Sequence, residues 1–300
     1  MPSPPTNPQT AVYIGRFEPL HEAHLHTMLS ALERHARLTV LPGSANLARS
    51  MKNPWTAPER ARMIRAALHG EGVDLRRVRL RPLPDEFDMT LWQSQVRERV
   101  GTPNAVLVGY GKDASSSYLH WFPEWQVEPG PVTPGLSATD LRAAYFEERL
   151  LEQLPAAVRG FLENFRQTRT FRRLQAEHFA VLARRQALKQ QASPPVLQEV
   201  RFLHVSGGQV WLNRRRDPVG KGLWELPGHL LAAGDLQDVA AARASGRIFD
   251  HPSRSLVWPT AAQVVQEPGG GTPIPLQLAL GRPHGFFEDH HVILRRMLFL

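Results

Sequence analysis

The 300-residue chain contains no cysteine. That excludes disulfides, thiolate-ligated zinc and a thiol nucleophile, and it fits a reducing, cytoplasmic location. Long apolar runs are also missing: no stretch approaches the ~20 residues that a membrane-spanning helix needs. The opening Met1-Pro2-Ser3-Pro4-Pro5-Thr6-Asn7-Pro8 has neither a charged n-region nor an apolar core. Residues 1–10 therefore read as a disordered leader rather than a signal peptide. There is no internal repeat, and no basic block interleaved with aromatics of the kind that grips nucleic acid.

What is present is a formal net charge of +8, carried almost entirely by arginine. The arginines are dispersed beside acids, as in Glu147-Glu148-Arg149, which argues against nucleic acid as the partner, and small anionic nucleotides account for some of the excess. The length suits about two domains. To about residue 150, strand and helix signals alternate. Strands are expected at 11–14, 38–41, 78–83 and 105–109, and helices at 25–32 and 58–68, which predicts a parallel α/β sheet with ligands at the carboxyl ends of its strands. Residues 138–191 read as helices. After Val196 short β-like runs appear. Two of them, 200–205 and 209–212, are joined by Ser206-Gly207-Gly208 and read as a hairpin. This division gives a first domain over 11–170, a helical linker over 171–193 and a smaller α+β domain over 194–300.

The most informative segment is Gly15-Arg16-Phe17-Glu18-Pro19-Leu20-His21-Glu22-Ala23-His24. It lies between the first strand and the first helix, where unpaired backbone N–H groups and the helix dipole favour a phosphate. Gly15 permits close approach to the backbone, Arg16 adds a bidentate phosphate donor, and His21 and His24 sit near the helix start. Read alone, a His-x-x-His pair is also compatible with a metal pair or with two surface histidines. The whole segment resembles the G-x-F-x-P-x-H-x-G-H signature of the nucleotidyltransferase superfamily, with Ala23 where the family has glycine. The resemblance implies transfer of a nucleotidyl group from a nucleoside triphosphate with release of pyrophosphate. Ala23 should cost little as long as its φ is negative.

Further segments follow in family order. Gly43-Ser44-Ala45 and Lys52-Asn53-Pro54-Trp55-Thr56-Ala57-Pro58-Glu59-Arg60 resemble a block of the archaeal-type nicotinamide mononucleotide adenylyltransferases, although Thr56 to Glu59 is equally a capping box. Pro84-Asp85 with Leu91-Trp92 looks like the family's P-D…L-W segment. By that resemblance Asn53 and Asp85 lie at the mononucleotide, and Trp92 stacks on a cationic nicotinamide ring, an arrangement favoured by cation–π attraction. A core position would explain Trp92 as well. Gly109-Tyr110-Gly111-Lys112-Asp113 resembles the G-x-x-K-D element beside ATP. Ser137-Ala138-Thr139-Asp140-Leu141-Arg142 resembles the I-S-x-T-x-I/V-R motif, in which a capped helix start and Arg142 face the triphosphate.

The resemblance thus implies a Rossmann-like adenylyltransferase domain with His21, His24 and Arg142 as catalytic residues. It implies Gly15, Arg16, Phe17, Gly109, Lys112, Asp113, Ser137 and Thr139 at ATP, and Mg²⁺ carried mainly by the ATP phosphates rather than by a protein metal site. Partners are ATP and the mononucleotide, and a homo-oligomer is compatible with the sequence. Two alternatives stay open: a nucleotidyltransferase with another phosphate acceptor, and a nucleotide-sensing regulator that does not turn over.

In the second domain, Gly220-Lys221-Gly222-Leu223-Trp224-Glu225-Leu226-Pro227-Gly228-His229 resembles the approach to a Nudix box. Phe249-Asp250-His251-Pro252 and Phe286-Phe287-Glu288-Asp289-His290-His291 fit the Nudix partner fused to some of these adenylyltransferases. The box pattern itself fails. Aligned on Pro227-Gly228, its acidic positions hold Asp235, Ala244, Arg247 and Ile248, with Arg243 on the arginine. Several carboxylates converging on Mg²⁺ are what Nudix hydrolysis requires, so loss of that activity is expected.

Overall fold

The computed structural model describes residues 7–109, 114–131, 135–190, 197–231, 236–253 and 260–299. The chain forms two compact units: one of residues up to Asn46 with Met51–Leu174, the other of Leu47–Ser50 with Gln175 onward.

The first unit runs β1 (Asn7–Gly15), α1 (Glu22–Arg34), β2 (His35–Pro42), α2 (Ala57–Gly70), β3 (Val78–Leu80), α3 (Met89–Val100), β4 (Ala105–Gly109), β5 (Gln126–Pro129), α4 (Ala138–Phe146) and α5 (Ala156–Arg166). The next helix, α6 (Arg169–Lys189), contains the boundary between the units. The sheet is five-stranded in the order β3-β2-β1-β4-β5, and its pairings are parallel. Alternate side chains of the central strands enter different cores. Ala11, Tyr13, Leu38, Val40, Val106 and Val108 pack in one with residues of α1, α2 and α5. Val12, Ile14, Leu41 and Leu107 pack in the other with Val96, Phe122 and Trp125. Burial on both faces is why these strands read as continuous apolar runs. The sheet order reverses at β1, so the carboxyl ends of β1, β2 and β4 flank the crevice where such folds hold ligands.

Two expectations need correction here. β1 begins at Asn7, inside the segment read as a leader, with Asn7 beside His35 and Thr10 beside Arg37. Backbone pairing with β2 orders it whatever its side chains. β5 was not anticipated. Its sequence Gln-Val-Glu-Pro is polar and largely exposed, and it is tied in by the ladder from Val106↔Gln126 to Gly109↔Pro129 and by Glu128, which meets Arg34 and His35 at 3.1 Å each.

The second unit contains β6 (Leu197–Phe202), β7 (Val205–Ser206), β8 (Gln209–Arg214), β9 (Trp224–Glu225), β10 (Gly228–Leu230), α7 (Leu236–Ala244), β11 (Ile248–Ser253), β12 (Thr260–Val265), β13 (Thr272–Pro275), α8 (Leu276–Leu280) and α9 (His290–Arg296). One sheet has the order β10-β6-β12-β11 and is mixed, since β6 and β12 are parallel. The other is β13-β8-β7, with β9 added to β8. The expected hairpin exists only in its last part: Val205 and Ser206 pair with Val210 and Gln209 across Gly207-Gly208. Residues 200–202 leave it for the mixed sheet, where Val200 and Phe202 join the apolar cluster with Val239, Ala242 and Val265. At Gly228 the backbone of β10 lies so close to β6 that a Cβ would fall 2.1 Å from the Val200 carbonyl oxygen.

Candidate active site

The turn after β1 is built around Phe17. Its backbone is left-handed, with φ of 53°. Its ring is buried and meets Tyr13 and His24 edge-on, at centroid distances of 5.3 and 5.0 Å. A Cβ on residue 15 would sit 2.9 Å from that ring. Gly15 therefore makes room for the Phe17 ring. Arg16 is exposed beside it.

His21 occupies the position before α1, with extended backbone. Its ring stacks on that of His24 at 3.6 Å, which sets two imidazoles side by side at a helix N-terminus, where an anion is favoured. Ala23 is one of the buried residues of α1 and does not have a positive φ. The absent glycine therefore costs this turn no backbone strain.

The carboxyl end of β2 is tied to that of β1, since Gly43 N–H donates to the Gly15 carbonyl at 2.9 Å. Ser44, with φ of 51°, donates its hydroxyl to both carboxylate oxygens of Asp85 at 3.2 and 3.0 Å. The Asn46 side chain bonds the backbone of Asp85 in both directions, at 3.0 and 2.8 Å. Asp85 is thus fixed, half-buried, at the mouth of the sheet. Asn53 is buried nearby in sequence, just before Trp55, which fills the core against Tyr145 and Phe165. Glu59 accepts from the Thr56 N–H at 2.8 Å and from its hydroxyl at 2.9 Å, in keeping with a cap on α2. Trp92 lies on α3, whose N-cap Asp88 accepts from the Leu91 N–H at 2.9 Å. Its ring is half-buried, edge-on to Trp121 at 5.6 Å and tilted on Phe122 at 6.2 Å.

α4 starts at a Ser137 cap, whose hydroxyl accepts from the Asp140 N–H at 3.5 Å. Arg142 is buried one turn in. Its guanidinium donates to Thr139 Oγ1 at 3.1 Å and to the Glu18 carbonyl. Burial draws its pKa down to about 10, and the nearby Arg16 adds to that effect. The strand β4 delivers Gly109 to the same edge, and the Gly130 N–H donates to the Gly109 carbonyl at 2.9 Å. Lys112 and Asp113, with Tyr110 and Gly111, lie outside the described residues.

Sequence reasoning gave no role to Glu18 or to Arg60. Glu18 is buried under the turn, its carboxylate 3.4 Å from the Arg60 guanidinium and accepting from the Trp55 N–H at 3.4 Å. Burial pushes its pKa up to about 7, against the pull of Arg60, Arg142 and Arg16. The signal was an acid and an arginine inside two otherwise motif-like runs. Among the described residues, no three His, Asp or Glu side chains group as a protein metal site would require.

In the second unit, the mixed sheet and α7 occupy the region of the degenerate box. Arg243 on α7 pairs with Asp250 at 2.9 Å, and Arg247 with Glu267 at 3.5 Å. Ala244 ends the helix. Asp235 lies outside the described residues.

Residues 12–144 match the cytidylyltransferase-like family model. Over 176 residues the chain is 36% identical to the nicotinamide/nicotinic acid mononucleotide adenylyltransferase of Acinetobacter baylyi, covering 56% of this chain and 93% of that protein. It is 34% identical over 173 residues to the nicotinamide-nucleotide adenylyltransferase of Ignicoccus hospitalis, covering 55% of this chain and 96% of that protein. The chain belongs to the nicotinamide-nucleotide adenylyltransferase family. Both domains together resemble the crystal structure of a bifunctional NMN adenylyltransferase/ADP ribose pyrophosphatase from Francisella tularensis. The TM-score is 0.87 and the identity 25%, over 97% of this chain and 98% of that one. The second domain is therefore Nudix-like in fold, joined to a family adenylyltransferase domain.

Proposed function

We propose that the first domain transfers the adenylyl group of ATP to nicotinamide mononucleotide, making NAD and pyrophosphate. The observation that carries this reading is the hydrogen bond from Arg142 to the Glu18 carbonyl. It joins the two motifs that the family resemblance assigns to the triphosphate, although they lie 124 residues apart. A 5′-phosphate oxygen of the mononucleotide attacks the α-phosphorus in line. The bond from that phosphorus to the α,β-bridging oxygen breaks, and pyrophosphate leaves with the electron pair. No covalent intermediate on the protein is needed, so catalysis is positioning plus stabilisation of phosphate charge. His21, His24 and the N–H groups at the start of α1 hold phosphate oxygens. Arg16 and Arg142 balance the leaving pyrophosphate. Magnesium arrives as part of the MgATP substrate. Asp85 and Trp92 select the nicotinamide nucleotide, and Lys112, Asp113, Ser137 and Thr139 complete the ATP side.

For the second domain, the reading is a Nudix-like fold without ordinary Nudix hydrolysis. It is supported by Ala244, Arg247 and Ile248 standing at acidic positions of the box.

The test is pyrophosphate release from MgATP with nicotinamide mononucleotide, nicotinic acid mononucleotide, phosphopantetheine and polyol phosphates as acceptors. Release with the two pyridine mononucleotides is expected. Release with another acceptor alone would reassign the substrate, and binding without release would make the protein a nucleotide sensor.

A further inference from the structure

The turn before α1 rests on a buried ion pair between Glu18 and Arg60, two residues inside the motif segments to which the family resemblance assigns no role. Three segments meet there. The Glu18 carboxylate is enclosed and accepts from the Trp55 N–H at 3.4 Å, just ahead of α2. Arg60, itself buried on α2, sets its Nε 3.4 Å from that carboxylate and donates through one terminal nitrogen to the carbonyls of Arg16 and Gly43, each at 2.7 Å. From the other side, Arg142 of α4 donates to the backbone carbonyl of Glu18. The two carbonyls held by Arg60 belong to the residues that immediately follow β1 and β2. The carbonyl that receives Arg142 belongs to the residue whose carboxylate faces Arg60.

We infer that Glu18 and Arg60 are positioning residues for adenylyl transfer: the pair locks the turn beneath the phosphates and thereby fixes where Arg142 points. This rests on the adenylyltransferase reading of the site. A buried charge pair is a poor way to gain stability, because desolvation offsets much of the attraction. Rigid placement of a charged donor in a phosphoryl-transfer site is where such a pair contributes, since small displacements are costly there. Neither residue is expected to touch substrate. Glu18 has its carboxylate turned to α2, and the bonds from the Arg60 terminal nitrogen end on the turn after β1 and on the residue after β2.

The charged groups facing Glu18 are Arg16 on the turn, Arg60 from α2 and Arg142 from α4, with Asp85 and Asp140 acting on those guanidiniums. Its carboxylate is raised to about 7, so the lock weakens as it takes up a proton near neutrality.

The experiment uses the full chain with labelled arginine. The guanidinium N–H NMR signals of Arg60 and Arg142 are assigned with Arg60→Lys and Arg142→Lys, then followed in wild type from pH 5.5 to 8.5 and in Glu18→Gln. In wild type both signals should move together through a midpoint near 7. In Glu18→Gln they should broaden and lose that midpoint. In parallel, kcat for NAD formation should fall on the order of 10- to 100-fold in Glu18→Gln, with KM for ATP and mononucleotide little changed. Glu18→Gln/Arg60→Met, which removes both charges, should be no worse than Arg60→Met alone. Signals that ignore both pH and the Glu18 substitution would overturn the inference, as would additive losses in the double variant. Where Glu18→Gln does not fold, Glu18→Gln/Arg60→Met, which leaves no unpaired buried charge, is read in its place through the Arg142 signal: broadening supports the lock and an unchanged signal overturns it. If the signals respond and wild type makes no NAD, the lock stands and the substrate assignment fails.

Discussion

In the first domain Arg142 crosses 124 residues of sequence to reach the turn that carries His21 and His24. In the second, Arg243 reaches only Asp250, seven residues away, and Arg247 finds Glu267. Both domains carry recognisable motif fragments, yet their polar groups are used differently. Around the phosphate turn, the groups held inward are backbone carbonyls and one carboxylate, while Arg16 stays exposed at the mouth. In the second domain, Arg201 bonds Glu199 at 2.6 Å, and Arg201 and Arg215 share Glu225. These arginines of the second domain end on carboxylates, whereas Arg142 ends on a backbone carbonyl and a hydroxyl.

The sharpest way to break this contrast is His24→Ala. Removing a donor that acts in the transition state should lower kcat by about 10²–10³-fold, some 3–4 kcal/mol, with a much smaller change in KM. Steady-state kinetics with both substrates checks it, and near wild-type turnover would leave His24 a packing role.

The next effect concerns stability. Glu18 has its pKa raised from the ordinary 4.5 to about 7, chiefly by burial. A raised pKa means the folded state favours the protonated form. The stabilisation is complete below 4.5 and is lost as pH rises through about 7. It amounts to about 3 kcal/mol at most. Denaturant unfolding of wild type should therefore weaken between pH 5 and 8 by an increment that Glu18→Gln lacks. Equal slopes in the two proteins would place the ionised carboxylate in a better-solvated setting.

Trp92→Ala should weaken the mononucleotide by about 1–2 kcal/mol and leave ATP nearly unchanged, as expected when a cationic ring loses an indole face. Calorimetry with each ligand decides this, and equal losses would return Trp92 to the core formed with Trp121 and Phe122.

The smallest expected signal is none at all. The full chain with ADP-ribose and Mg²⁺ or Mn²⁺ should release no AMP above a control. Steady AMP production would show that other acids, such as Glu288 and Asp289, hold the metal, and the contrast between the domains would dissolve.

Much of the first domain was legible because its strands are apolar runs closed by glycine, and because its motifs recur in a fixed order. β5 escaped, since Gln126–Pro129 has neither pattern and owes its place to pairing with β4. The start of β1 escaped for the same reason. At the candidate site, residue types singled out Arg142, Asp85 and the histidines. Sequence carried no sign that the Arg142 guanidinium would end on a backbone carbonyl, or that Glu18 would turn inward to Arg60. Those contacts depend on three segments meeting, and no local periodicity encodes that meeting.

Gly228 shows how unevenly a fingerprint speaks. With the Val200 oxygen 2.1 Å from where a Cβ would be, any larger residue would prise β10 from β6. The sheet demands that glycine whether the domain hydrolyses a dinucleotide, merely shelters one, or holds nothing. Its presence therefore reports architecture and is silent about turnover.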